Sequence, residues 1–112
     1  MDTKSLVLVH TSCSDRAEAE RLARDLVESR LAACASIGAE MTSIYPWQGR
    51  IEREQEVALT LKTTSAAFGA LRRRLIDRHG YDVPEVLATT VIDGNHEYMD
   101  WVREWVTAGK QE

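Results

Sequence analysis

The sequence has no long apolar run, no basic excess and only two cysteines in 112 residues. Without the ~20 consecutive apolar residues of a membrane span, no transmembrane helix is expected. Lysine and arginine number 14 against 18 acidic residues, a net charge of -4. That balance argues against a general nucleic-acid binder, which shows the opposite sign. Two cysteines, Cys13 and Cys34, are too few for a disulfide scaffold and read as free thiols of a reducing compartment. The first five residues, followed by one short strand-like run, lack the apolar stretch and cleavage site of a signal peptide, so a cytoplasmic location is expected. Also missing are a Cys-x-x-Cys pair, a glycine-rich phosphate loop and a Ser/His/Asp order. There is no internal repeat, low-complexity segment or linker. The length suits one domain, residues 1–112, with a modest core.

What is present is regular alternation of elements. Leu6 to Thr11 is a β-branched run that predicts a first strand, with Cys13 in the loop beyond it. Ser14 or Asp15 is placed to cap a helix, with Glu18 at capping-box spacing from Asp15. Ala19, Leu22, Ala23, Leu26 and Val27 form its apolar stripe, and it ends near Arg30. Ala32 to Ile37 predicts a second strand that Gly38 interrupts at a bulge and Met41 to Tyr45 continues. Gln48-Gly49 turns the chain into a third strand, Arg50 to Thr63. Thr64 or Ser65 caps a second helix with the stripe Phe68, Leu71, Leu75 and Ile76, stopped by Gly80. A fourth strand runs from about Glu85 to Ile92 behind Pro84. Asn95 then caps a last helix whose apolar face is Tyr98, Trp101, Val102 and Trp105. The order βαββαβα predicts an α+β fold, the ferredoxin-like βαββαβ sandwich, with an extra C-terminal helix.

The third strand is too long for that body. Fourteen extended residues reach roughly 45 Å, whereas a compact chain of this length is only about 35 Å across. Either the strand breaks at a bulge near Glu54 to Glu56, or the hairpin projects and its bare edges meet another chain. The second reading is preferred.

The same stretch carries a resemblance. Ser43-Ile-Tyr-x-Trp-x-Gly-Arg-Ile51 followed by Glu56-Val-x-Leu-x-Leu-Lys-Thr-Thr64 resembles the divalent-cation tolerance family called CutA. Leu26-Val-x-x-Arg-Leu-Ala-Ala-Cys34, Gly80-Tyr-Asp-Val-Pro-Glu85 and Gly94-Asn-x-x-Tyr-x-x-Trp101 resemble it too, in order, over nearly the whole chain. The resemblance implies a ferredoxin-like homotrimer whose long second-to-third-strand hairpins pair across subunits.

Candidate chemistry is sparse. His10, His79 and His96 are far apart in sequence. His10 and Cys13 carry donor atoms suited to copper or zinc, yet two ligands do not close a site. The resemblance implies a copper site formed by a cysteine ending the first strand and histidines before the Gly-Tyr-x-x-Pro-Glu motif. His10 falls where that cysteine stands and His79 matches one histidine, while Arg78 replaces the other. These departures favour Cu2+ or Zn2+ over copper(I), with Cys13 as the compensating ligand, and no cofactor is required. Trp47, Lys62, Tyr81 and Glu85 lie within family motifs and are candidates for a cleft between subunits, Lys62 pairing with Glu85. Glu52, Glu54 and Glu56 read as a polar face, and Arg72 to Arg74 as a solvated helix surface.

Two functions compete: a trimeric, non-enzymatic protein of divalent-metal tolerance, and a sensor like the PII proteins with ligand clefts between subunits. RNA recognition through the same topology is excluded, because Val57 to Leu61 offers no stacking aromatics. An acylphosphatase-like enzyme is excluded because Thr11 to Asp15 holds no arginine for phosphate.

Overall fold

The computed structural model describes residues 5–109. In chain order these form β1 (Leu6–Cys13), α1 (Arg16–Glu28), β2 (Cys34–Trp47), β3 (Arg50–Thr64), α2 (Ser65–Arg78), β4 (Leu87–Thr90) and α3 (His96–Gly109). The strands make one sheet in the order β2-β3-β1-β4, each neighbouring pair antiparallel. This is the ferredoxin-like α+β architecture.

The helices start where the capping chemistry predicts. Asp15 accepts the Glu18 N–H at 2.8 Å, and Thr64 accepts that of Ala67 at 3.2 Å. Asn95 accepts the Glu97 N–H at 3.0 Å. Each satisfies an amide that the first turn leaves without an intrahelical partner. Strand limits differ more. β1 continues two residues past Thr11, so Cys13 is a strand residue and not a loop residue. β4 is only Leu87–Thr90, shorter than the apolar composition around it suggested.

The main core lies between one sheet face and the first two helices. Val7, Val9 and Cys13 of β1 and Val57, Leu59 and Leu61 of β3 pack against Leu22 and Leu26 of α1 and Leu71 and Leu75 of α2. Each fully buried aliphatic side chain here contributes about 1.5–3 kcal/mol of transfer free energy. Ile76, expected on the same stripe, is 44% exposed, one position around the helix from Leu75. On the other sheet face, α3 covers one end only, packing Met99, Val102 and Val106 onto Leu6, Ala33 and Ala67. Val102 and the partly buried Trp105 of the expected face belong to this packing, whereas Tyr98 and Trp101 remain 40% and 49% exposed. Spacing of three and four residues selects 99, 102 and 106, so their neighbours 98 and 101 turn outward.

β1 flanks β3 only between Val57 and Thr64. The remainder of β3 pairs with β2 alone, through Trp47↔Arg50, as a two-stranded arm. The protein measures 45 × 27 × 23 Å along its principal axes. β3 holds its register through Glu54 to Glu56, so the alternative of a strand broken there is overturned. The irregularity sits in β2 instead. Ile37 pairs with Leu59 and Glu40 with Val57, one extra residue around Gly38. Gln48 and Gly49 close the tip with φ of 51° and 79°, the left-handed pair that two-residue hairpin turns require.

Candidate functional site

Beyond that bulge, β2 side chains exchange faces. Tyr45 now pairs with Glu52, Ser43 with Glu54 and Met41 with Glu56, each pair sharing one side of the arm. On that side lies a groove of about 770 Å³. Its walls are the arm (Tyr45, Trp47, Glu52, Glu54, Glu56) and the segment following α2 (Tyr81, Asp82, Glu85), with Ser12 at the base. Five carboxylates and no basic side chain line it.

Glu56 is only 8% exposed and accepts a hydrogen bond from the Tyr81 phenol at 2.8 Å. Burial, then the bond to Glu56 and its charge, push the Tyr81 phenol well above its ordinary value. The Tyr45 phenol is raised too, by burial and then by the charges of Glu54, Glu52 and Glu56. Both phenols stay protonated donors in a negative field.

Behind the groove lies a second polar cluster. Cys13, Glu18 and His79 are all buried, and their ligand atoms lie within 4.8 Å of one another. Burial, followed by the charge of Glu18, pushes the Cys13 thiol up to about 12. Glu18 Oε1 accepts from the Ser14 N–H at 2.9 Å and the Ser14 hydroxyl at 3.1 Å, while Oε2 accepts from the Gly80 N–H at 2.7 Å. Burial opposes its charge, but the Ser14 and Gly80 donors outweigh burial and hold the carboxyl below its usual range. His79 Nδ1 accepts from the Tyr81 N–H at 3.1 Å, which assigns the ring proton to Nε2. Nε2 then donates to the Ser12 carbonyl at 2.9 Å.

This donor set does not fit a resident metal ion. A ligating imidazole needs a free ring lone pair, and that of His79 is held by the Tyr81 amide. A ligating cysteine must be a thiolate, which burial and the charge of Glu18 both disfavour here. Both Glu18 oxygens already serve three donors. The same facts deny the cluster a nucleophile, since Cys13 is fully buried and His79 offers it no acceptor.

The predicted residues divide accordingly. Cys13 and His79 come together, joined by Glu18, whose capping-box spacing was its only sequence signal. His10 stands apart: it shares strand parity with Leu8 rather than Cys13 and lies 3.3 Å from the Thr89 hydroxyl. Trp47, Tyr81 and Glu85 line the groove together. Lys62 does not. It lies 3.8 Å from Cys34 Sγ and 5.7 Å from the Tyr98 ring, and the described ion pairs include none between it and Glu85. The reason is topological, because β1 separates β3 from β4, and Glu85 lies in the segment leading into β4. Arg74, expected to be solvated, instead clamps Asp25 with bonds of 2.8 and 3.0 Å.

A ferredoxin-like sandwich with a projecting arm and a groove at its base is the class these features define. The chain belongs to the CutA1 divalent ion tolerance protein family, whose model matches residues 7–105. It is 49% identical to the divalent-cation tolerance protein CutA of Thermus thermophilus, over 77% of this chain and 84% of that one. It is 40% identical to human protein CutA over 89% of its own length but only 56% of the human one. The CutA crystal structure from Xylella fastidiosa superposes with a TM-score of 0.89 at 37% identity, covering 91% of this chain and 98% of that one.

Proposed function

We propose that this chain acts in divalent-cation tolerance as a non-enzymatic homotrimer of a single domain, in the cytoplasm, with its arms pairing across subunits. The arm carries the reading. Ile51, on its side away from the groove, is 72% exposed. An isolated two-stranded ribbon is marginal in water, and its free edges are stabilised by a neighbouring chain. Light scattering of the dilute protein tests this: three chains per particle are expected, and a monomer would sink the proposal.

Cu2+ or Zn2+ remains the ion class this reading names. Because His79 and Cys13 are engaged within the fold, uptake there requires breaking the Tyr81–His79 bond, whereas His10 is reachable from solvent. Titration with each ion, wild type against His10→Ala and His79→Ala, separates the two. Loss of binding in neither variant excludes both histidines.

A second reading, a binding module with ligand clefts as in PII-like sensors, is favoured by the groove between the arm and the segment after α2. Its test is a ligand screen by thermal shift, since a specific ligand raises the melting temperature.

A further inference from the structure

The groove has a chemical character that the cleft reading leaves open. Glu56 is more than nine-tenths buried, and no cation is paired with it among the described residues. Its Oε2 is taken by Tyr81, whereas Oε1 has no hydrogen-bond partner among the described residues. Among the described residues no fully enclosed side-chain oxygen lacks a partner, so Oε1 opens onto the groove. A buried carboxylate facing such a space is stabilised by a cation supplied from outside.

The spacing says which kind. Glu52, Glu54 and Glu56 occupy alternate positions of one strand, so their carboxylates follow one another at roughly 6.6–6.8 Å. One metal ion draws its oxygens to within about 2–2.6 Å of a common centre. These three do not converge on such a centre, and the described donors that do converge are Cys13, Glu18 and His79. A row of charges at this interval instead matches ammonium groups separated by short methylene chains. Tyr45 and Trp47 add aromatic faces beside the row, suited to methylenes and to cation–π contact. Arg50 at the arm tip lies 3.8 Å from Glu52 with its own side chain 80% exposed, a weak competitor.

We propose that this groove binds an elongated aliphatic polyammonium, its nitrogens on Glu52, Glu54 and Glu56 and its methylenes along Tyr45 and Trp47. The proposal rests on the cleft reading above and names its ligand class. It is compatible with arm pairing, because Ile51, of opposite strand parity to Glu52, Glu54 and Glu56, faces the reverse side of the arm.

Calorimetric titration of the full chain with spermidine at fixed ionic strength tests it, with Mg2+ as the probe of charge alone. Saturable binding is expected that Mg2+ does not displace at matched ionic strength. Glu56→Gln, which keeps an acceptor for Tyr81, should weaken it about tenfold, the loss of one charged contact. Should that variant fold poorly, Glu54→Gln on the exposed arm carries the test and should weaken binding several-fold. Equal displacement by Mg2+, unchanged affinity in the variant used, or absence of spermidine binding overturns the proposal. Thermal-shift screening of anionic and neutral compounds then separates the two ideas. A stabilising anion preserves the cleft and refutes only its cationic ligand, and no stabilisation by any class removes both.

Discussion

The Tyr81 hydroxyl donates to Glu56 Oε2 at 2.8 Å across 25 residues of sequence, tying the segment after α2 to the base of the arm. Tyr81 is held from behind as well, its amide donating to His79 Nδ1. The groove wall is thus fixed at both ends of one residue. Tyr81→Phe removes the only hydrogen bond that the described residues give the buried Glu56 carboxylate, which costs about 1–3 kcal/mol. Chemical denaturation should show a lower midpoint with an unchanged slope. An unaltered midpoint would mean that Glu56 is solvated without Tyr81.

Gly80 is required by Glu18. A Cβ placed on Gly80 would lie 2.5 Å from Glu18 Oε2, which accepts from the Gly80 N–H and belongs to a carboxylate held by three hydrogen bonds in all. Gly80→Ala should therefore displace the carboxylate and strand the Ser14 and Gly80 amides, at about 1–3 kcal/mol. Thermal unfolding measures the loss. The double variant with Glu18→Ala should lose less than the two single losses summed, because the clash is gone.

Acid should weaken the fold through Glu18 and Asp25. Hydrogen bonds from Arg74, working against burial, hold the Asp25 carboxyl below its ordinary value, as Ser14 and Gly80 do for Glu18. A depressed carboxyl contributes stability above its unfolded pKa, and that stability is lost as pH falls through the folded value. The ordinary values are 4.5 for Glu18 and 3.8 for Asp25, so these contributions are steady above about pH 5 and decline below 4.5. Denaturation midpoints across pH 3–7 should follow that curve, with a shallower acid limb in Glu18→Gln. An identical limb in that variant would exclude Glu18.

Cys13 should resist alkylation. The thiol is fully buried and its pKa is pushed up to about 12, so almost none is thiolate at neutral pH. Mass spectrometry after iodoacetamide treatment should find Cys13 unmodified in the native protein and modified in denaturant. Native labelling as fast as for a free thiol would show that the β1 end opens.

Ile51→Lys places a charge on the exposed apolar side of the arm, far from the core. Light scattering should show a shift from trimer toward smaller species, while the far-ultraviolet circular dichroism stays unchanged. A trimer of undiminished stability would exclude that face from the assembly.

Much of the fold was legible because local chemistry decides it. The stripe Leu22, Ala23 and Leu26, the caps at Asp15, Thr64 and Asn95, and the Gln48-Gly49 turn depend on neighbours a few residues away. The α3 face was half legible: Val102 and Trp105 pack as expected, but docking on Leu6 and Ala33 selects Met99 and Val106 over the equally apolar Tyr98 and Trp101. The site was less legible still. Glu18 looked like the capping-box partner of Asp15, which does accept its amide, yet its carboxylate reaches Ser14 and Gly80, the latter 62 positions away. Lys62 and Glu85 looked like partners, but β1 lies between β3 and β4, and Glu85 falls in the segment before β4.

The sequence by itself determined the element order, the core stripes and a hairpin longer than the body, since periodicity and turn chemistry are properties of contiguous residues. Tertiary structure decided which side chains meet. One extra residue in β2 turned Tyr45 toward Glu52, and the return of the chain after α2 brought Tyr81 to Glu56. The same packing placed His79 among donors and acceptors that occupy both its nitrogens, and left His10 on another face of the sheet. A ligand's geometry is set by groups far apart in the chain, and only the folded sheet brings them within reach.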